Sequence, residues 1–203
     1  MTKPYLAVFA GVNGAGKSTL YRSGIWQTAH TPNKLARVNA DECLREFGGD
    51  PANAKDQAKA GKICVASIAS NLESGCSFSL ETTLAGLSSM QHIRKAKKLG
   101  FHTELFFVGI ENPELAQSRI RHRVQMGGHD IDDALVEKRF SRSIAHLAQT
   151  ISLCDQVIVF DNTYRFRQIM AWENNALCWW GASRSCGSWL VDAMTDGTAW
   201  QRS

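Results

Sequence analysis

Gly11-Val12-Asn13-Gly14-Ala15-Gly16-Lys17-Ser18 matches G-x-x-x-x-G-K-[ST] at every fixed position. Residues 5–11, before it, form a short apolar run of strand character, and residues 17–27, after it, read as a helix. That setting separates the motif from a glycine-rich turn with an incidental lysine. The glycines let the backbone curl until several N–H groups point inward, and the following helix adds its positive end. The loop therefore suits the phosphates of ATP. Gly11, Asn13, Gly14, Ala15 and Gly16 form the cradle, and Lys17 reaches the β- and γ-phosphates. The Ser18 hydroxyl is the expected ligand of Mg²⁺, and Thr19 adds a contact to the α-phosphate.

Outward from this loop, strand-like and helix-like stretches alternate. Residues 35–40, 77–81, 103–110 and 156–160 read as further strands, the fully apolar 103–110 as a central one. Residues 51–74 read as a long helix, with Ala58, Gly61, Val65, Ile68 and Leu72 at alternating spacings of three and four. Residues 87–99 form another helix, and Pro113 opens one that stops at Gly127-Gly128. Asp132 or Asp133 caps the next, whose stripe is Val136, Phe140, Ile144, Leu147 and Ile151. Strands separated by such helices predict an α/β, P-loop NTPase fold: a parallel sheet of about five strands with helices on both faces. After Thr163 the pattern changes to a β-hairpin, 166–172 and 176–180 around Glu173-Asn174-Asn175, followed by a loop or short helix. The expected division is residues 1–165 as the core, with an arginine-bearing helical lid at about 112–150, and residues 166–203 as a tryptophan-rich hairpin and tail.

Composition excludes several classes. The 203 residues are 44% hydrophobic and 21% charged, and 23 basic against 19 acidic side chains leave +4. That is ordinary for a globular chain and too mild for a dedicated nucleic-acid binder. No apolar run approaches the ~18–20 residues of a membrane span. The first apolar run leads straight into the glycine loop without a cleavage-site pattern, so it is a strand rather than a signal peptide. The six cysteines are scattered with no C-x-x-C pair, which argues against zinc and a disulfide framework and makes the cytoplasm the expected compartment. Five of the six tryptophans stand at position 172 or later. Core filling is favoured for them over partner docking.

In an open parallel sheet, ligands bind beyond the carboxyl ends of the strands. There the second strand ends at Asn39-Ala40-Asp41 and the third at Glu81-Thr82-Thr83. Asp41 reads as a general base for an attacking hydroxyl, as the cap of the helix after it, or as both. Glu81 reads as a hydrogen-bond partner of the acceptor, as support for Mg²⁺, or as a solvated loop acid. Residues 115–129 hold three arginines, two histidines and no acid. Arg119 and Arg123 share a helix face, while Arg121 points away. Arg139 flanks the next helix's apolar stripe, and Arg142 lies nearly opposite it. Around a Gly127-Gly128 hinge, this pattern suits a lid that brings arginines to a triphosphate. An ordinary basic helix or a nucleic-acid grip are the alternatives, and no aromatic platform is interleaved for the latter. Val157-Ile158-Val159-Phe160-Asp161 looks like the Mg²⁺-holding strand of hydrolytic ATPases, but its place after the lid marks Asp161-Asn162 as structural or near the base.

The phosphate loop, Asn39-Ala40-Asp41, Glu81-Thr82-Thr83 and Arg123-Val124-Gln125-Met126-Gly127-Gly128-His129 together resemble the zeta-toxin-like P-loop kinases, most of all their smaller stand-alone bacterial members. The resemblance covers about residues 3–165, and the hairpin at 169–180 also resembles the tail of those members. It implies an ATP-dependent kinase that phosphorylates a UDP-N-acetyl sugar on a hydroxyl and is held inactive by a small antitoxin. It implies Asp41 as the base, Lys17 as the phosphate-loop lysine, and Glu81 with Thr83 as the acceptor-binding motif. Arg123 falls near one lid arginine, and Arg139 substitutes for the second from the next helix. One departure is visible: those toxins carry an arginine shortly after Glu-x-Thr, and Leu84-Ala85-Gly86 follows here. The expected function is transfer of the γ-phosphoryl group to a small-molecule hydroxyl. A polynucleotide or RNA kinase, and a non-catalytic ATP-binding switch that docks a partner through the tail, are the alternatives.

Overall fold

The computed structural model describes residues 3–28, 30–128, 130–183 and 185–195. His129 of the lid motif and the tail from position 196, with Trp200, lie outside the described residues. Strand β1 (Tyr5–Ala10) is buried throughout. Its alternation sends Tyr5, Ala7 and Phe9 into one apolar cluster and Leu6, Val8 and Ala10 into another. β2 (Ala36–Val38), β3 (Phe78–Glu81), β4 (His102–Gly109) and β5 (Gln156–Asp161) join it in a parallel sheet of order β2-β3-β1-β4-β5. This is the expected five-stranded parallel core.

The hairpin extends that same sheet rather than standing apart. β6 (Arg167–Glu173) pairs antiparallel with β5, and β7 (Ala176–Trp180) with β6, giving seven strands. Asn174 and Asn175 have positive φ values of 49° and 67°, as a tight two-residue hairpin turn requires. Ile169, Met170, Ala171 and Trp172 are buried, so β6 covers an edge of β5 that would otherwise leave apolar residues and backbone groups exposed.

Helices α1 (Lys17–Ser23), α2 (Ala40–Glu46), α3 (Ala54–Ser74), α4 (Leu87–Lys98), α5 (Pro113–Gln125), α6 (Asp133–Ile151) and α7 (Ser188–Thr195) cover both faces. Ile68, Leu72, Met90, Ile93, Leu147 and Leu190 pack on one side, and Leu20, Ala116, Ile120 and Val136 on the other. Several boundaries differ from expectation. α1 stops at Ser23 because Gly24 turns left-handed at φ 70°, and Trp26 folds back against Phe9 while donating its indole N–H to the Tyr21 carbonyl at 2.8 Å. α3 starts at Ala54 behind an Asn53 cap, not at Pro51. Its buried stripe is Ala60, Cys64, Ile68 and Leu72. Val65 faces solvent, because a spacing of four through small residues carries the contact with the sheet. Asp132 is the residue that caps α6, accepting from the Leu135 N–H at 3.0 Å. All six cysteines are unbridged, and no described helix is long and apolar enough to cross a membrane.

The tryptophans divide by role. Trp172 and Trp189 are buried, whereas Trp179 and Trp180 keep more than 40% exposure on the edge strand. Trp189 of α7 lies against Gly109, where a Cβ would overlap its indole ring. Its N–H donates to Asp161 Oδ1 at 2.9 Å, and the Thr163 hydroxyl donates to the same atom at 2.7 Å. Asp161 is thus a buried anchor for α7, in agreement with its structural reading.

Candidate active site

The β1–α1 loop wraps a concavity at the carboxyl edge of the sheet. Gly11 sits at φ 131°, and a Cβ there would overlap the Val108 carbonyl oxygen of β4. Only glycine allows the loop to lie that close. The Asn162 amide after β5 donates to the Ala15 carbonyl at 2.8 Å and holds the loop from behind. Asn13, Gly14 and Gly16 complete the curve, and Thr19 is exposed on the first turn of α1. A backbone with its glycines forced by close packing is the cradle that a chain of phosphates fits.

Lys17 is only 8% exposed and donates its ammonium to the Val12 carbonyl at 2.9 Å. Burial pushes its pKa below the ordinary lysine range. Glu81 and Asp41 act in the opposite direction, and Arg123 and Arg139 add to the lowering. The charges of the loop, both strand tips and both lid helices therefore meet at this ammonium.

Glu81 is the hub of the second contact set. The Ser18 hydroxyl donates to its two oxygens at 2.9 and 3.1 Å, and the Asn39 amide donates to Oε2 at 2.7 Å. Arg37 Nη2 donates to the same oxygen at 2.9 Å. Arg37 also grips Glu42 through Nε at 2.7 Å, and its guanidinium lies 3.6 Å over the Tyr21 ring. A serine hydroxyl beside an ordered carboxylate is an oxygen donor set that fits Mg²⁺, which keeps several waters when bound. Ser18 and Glu81 are the residues that would hold it.

Asn39 settles how Asp41 is placed. Its Oδ1 accepts from the backbone N–H groups of Asp41 and Glu42 at 2.8 and 3.3 Å. Asn39, not Asp41, is therefore the cap of α2, because a cap accepts from the N–H groups two and three positions on. That leaves the Asp41 carboxylate, in the first turn, free of capping duty and facing the cleft. The cleft encloses about 410 Å³, and Asn13, Lys17, Asp41, Glu81, Thr83 and Arg139 all line it.

The two helices expected to form a lid, α5 and α6, approach this cleft differently. Arg139 Nη1 donates to Asn13 Oδ1 at 2.9 Å, so α6 touches the phosphate loop directly. α5 ends at Gln125, Gly127 turns at φ 89°, and the Gly128 N–H returns to the Arg123 carbonyl at 2.9 Å. Arg119 lies on the far flank, where Nη2 donates to the carbonyls of Asn162 and Thr163 at 2.8 and 2.9 Å. Arg121 lies 4.0 Å from Asp133 on the surface, and Arg142 is exposed. Of the predicted residues, the structure brings six to one cleft and sets Arg119 beside the loop that grips Ala15. Sequence reasoning missed Arg37 and the holding roles of Asn39 and Asn162. Asparagine two residues before an aspartate at a helix start was a readable capping signal, and an arginine inside a three-residue strand marked a buried charge in need of partners.

The sequence matches the zeta toxin family model over residues 1–176. An uncharacterized protein of Haemophilus influenzae is 28% identical over 132 residues, which are 65% of this chain and 89% of that one. Among solved structures, one from the PezAT chromosomal toxin–antitoxin system of Streptococcus pneumoniae superposes with a TM-score of 0.60 at 14% identity, over 99% of this chain and 81% of that chain. The AvrRxo1-ORF1:AvrRxo1-ORF2 complex with sulphate ions gives a TM-score of 0.65 at 15% identity, over 89% and 62%. At these identities the two superpositions speak for the fold.

Proposed function

This chain belongs to the zeta toxin family and is a P-loop kinase-like phosphotransferase, and from that premise we propose that it moves the γ-phosphoryl group of ATP to a hydroxyl of a small-molecule acceptor. The observation that carries the proposal is the convergence of Lys17, Asp41, Glu81 and Arg139 on one cleft beside the glycine loop. The loop amides and Lys17 bind and orient the phosphates. Asp41 accepts the proton of the acceptor hydroxyl as its oxygen bonds to the γ-phosphorus and the bond to the β–γ bridging oxygen breaks, so that ADP leaves. Arg123 and Arg139 offset the charge that builds on the transferred group, and Arg119 borders the base end of the nucleotide. Glu81 and Thr83 hold the acceptor, with Glu81 also ordering Ser18. Mg²⁺, when bound at Ser18 and Glu81, neutralises charge on the β- and γ-phosphates.

A UDP-N-acetyl sugar is the acceptor that the family resemblance brings forward, and a small antitoxin is the protein partner it brings with it. The test is to incubate the protein with ATP, Mg²⁺ and a panel of nucleotide sugars, free sugars, nucleosides and oligonucleotides, and to follow both ADP and the mass of each acceptor. Gain of one phosphoryl group on a small molecule, in step with ADP, is the expected result. Transfer only to oligonucleotide ends would establish the polynucleotide-kinase alternative instead. Slow ADP release that no acceptor stimulates would establish the switch.

A further inference from the structure

Two thiols meet beside the helix that carries Asp41. Cys43 stands on α2, two residues after Asp41, and Cys64 stands on α3. Their sulfurs are 3.5 Å apart, with the Cys64 thiol donating to Cys43 Sγ. Both are unbridged. The same two helices supply wall to the cleft. Leu44 follows Cys43 on α2, and Ala60 lies one turn before Cys64 on α3.

The two sulfurs are not equivalent. Cys64 is buried, at 9% exposure, whereas Cys43 is partly open to solvent. Burial pushes the Cys64 thiol up to about 12, and the contact with Cys43 and the charges of Asp41 and Glu46 add to the rise. Cys64 therefore keeps its proton and directs it at Cys43 Sγ, where the hydrogen bond stabilises a thiolate. Cys43 is the sulfur that a dissolved oxidant reaches, and Cys64 is the partner that closes the bond. The low acidity of Cys64 is offset by its position, because a partner held in contact reacts as if at a concentration no dissolved thiol attains.

We propose that Cys43 and Cys64 form a peroxide-sensitive disulfide pair that switches off the chemistry at Asp41. The Cys43 thiolate attacks one oxygen of hydrogen peroxide and the O–O bond breaks. Hydroxide leaves, takes up a proton as water, and Cys43 becomes a sulfenic acid. The Cys64 sulfur then gives up its proton and bonds to Cys43 Sγ, and the sulfenic oxygen leaves as water. Two thiols and one peroxide thus yield one disulfide and two waters. A disulfide holds its sulfurs at about 2.05 Å, well inside the present 3.5 Å contact, so the bond draws α2 and α3 together. Asp41 rides on α2, and a displacement of about 1 Å at a reacting group costs about a hundredfold in rate. The phosphate loop lies on neither helix, so ATP binding is kept. The effect on activity rests on the role proposed for Asp41, whereas formation of the bond does not.

Hydrogen peroxide is the probe and dithiothreitol the reductant. The treated full-length protein is expected to lose two hydrogens in intact mass, with non-reducing peptide mapping joining position 43 to position 64. ADP release with ATP, Mg²⁺ and the acceptor panel is expected to fall by about a hundredfold, with nucleotide binding unchanged, and to return on reduction. Cys43→Ser, at a partly exposed position, is expected to keep the starting activity and to escape both changes. A bond between other cysteines, oxygen adducts without a bond, or a 43–64 bond that leaves ADP release at its starting rate would overturn the switch. Absence of ADP release from the reduced protein would instead overturn phosphoryl transfer, and the switch with it, while the mass still decides whether the pair closes.

Discussion

Arg37 carries more of the site than its position in a three-residue strand announces. It neutralises Glu81, holds Glu42, and stacks on Tyr21. Remove it and Glu81 keeps the Ser18 and Asn39 contacts but loses the only cation paired with it among the described residues. Arg37→Met is expected to destabilise the fold by about 3 kcal/mol, the scale of a half-broken, largely buried ion pair. It should also raise the Mg²⁺ concentration for half-maximal ADP release by about tenfold or more, as losses behind a metal ligand do. Urea denaturation and a Mg²⁺ titration at saturating ATP read the two effects separately, and Arg37→Lys should restore part of the first more than the second. Lys17 makes the opposite trade. Because burial depresses its pKa, the folded protein holds this proton less tightly than the unfolded chain. The charge therefore costs stability below the unfolded lysine pKa of about 10.4, and the cost fades as pH rises towards that value. Lys17→Met is expected to lower activity by about a hundredfold or more while raising the melting temperature by a few degrees at pH 7. That gap should narrow by about pH 10, which thermal melts at both pH values would show.

At the scale of elements, the proposed lid is tied to the phosphate loop from two sides. α6 is tied to the phosphate loop by Arg139 and Asn13, and α5 is tied behind the loop by Arg119 and the carbonyls of Asn162 and Thr163. Between them lies the turn at Gly127. Arg139→Ala is expected to lower kcat by about a thousandfold with a much smaller change in ATP affinity, which single-turnover rates beside equilibrium nucleotide binding would resolve. These elements were legible in the sequence to different degrees. β1, its loop and the start of α1 could be read because a buried strand, glycines and a helix signal adjoin within a few residues. α5 and α6 could be read from Pro113, the Gly127-Gly128 break and the stripe from Val136 to Ile151. The α3 stripe was read correctly at Ile68 and Leu72 but one residue off at Gly61 and Val65, because Ala60 and Cys64 bury as well as Val65 would and only packing selects them. The hairpin was recognised, but its docking on β5 was not, since strand pairing between remote segments leaves no local trace. Arg37 escaped because its value lies in partners at positions 42 and 81, set by the register of β2 on β3.

The whole molecule is a sheet whose two ends do different work. The carboxyl edge gathers Lys17, Asp41, Glu81 and Arg139, while the amino edge is pinned by a partly buried polar set. There Asp155, just before β5, accepts from the Thr103 N–H at 2.8 Å and the Thr103 hydroxyl at 3.0 Å. Burial alone would raise the Asp155 carboxyl, but these bonds and the Lys97 ammonium outweigh it and hold the group below the usual carboxylate range. A depressed carboxyl stabilises the fold above its unfolded pKa of about 3.9 and loses that contribution as pH falls through its folded value. Asp155→Asn is therefore expected to cost about 1–3 kcal/mol at pH 7, with the difference from wild type shrinking below about pH 3. Denaturation curves at both pH values would check it.

In the proposed reaction, this edge transfers a phosphoryl group with Asp41 taking the proton. Asp41→Asn tests it most directly, because Asn39 rather than Asp41 caps α2, so the change removes a base and leaves the helix start in place. The measurement is acceptor-dependent ADP release by this variant beside wild type at equal ATP occupancy. A loss of about 10²–10⁴-fold in kcat with ATP affinity kept is predicted. Transfer at the wild-type rate would rule out Asp41 as the base.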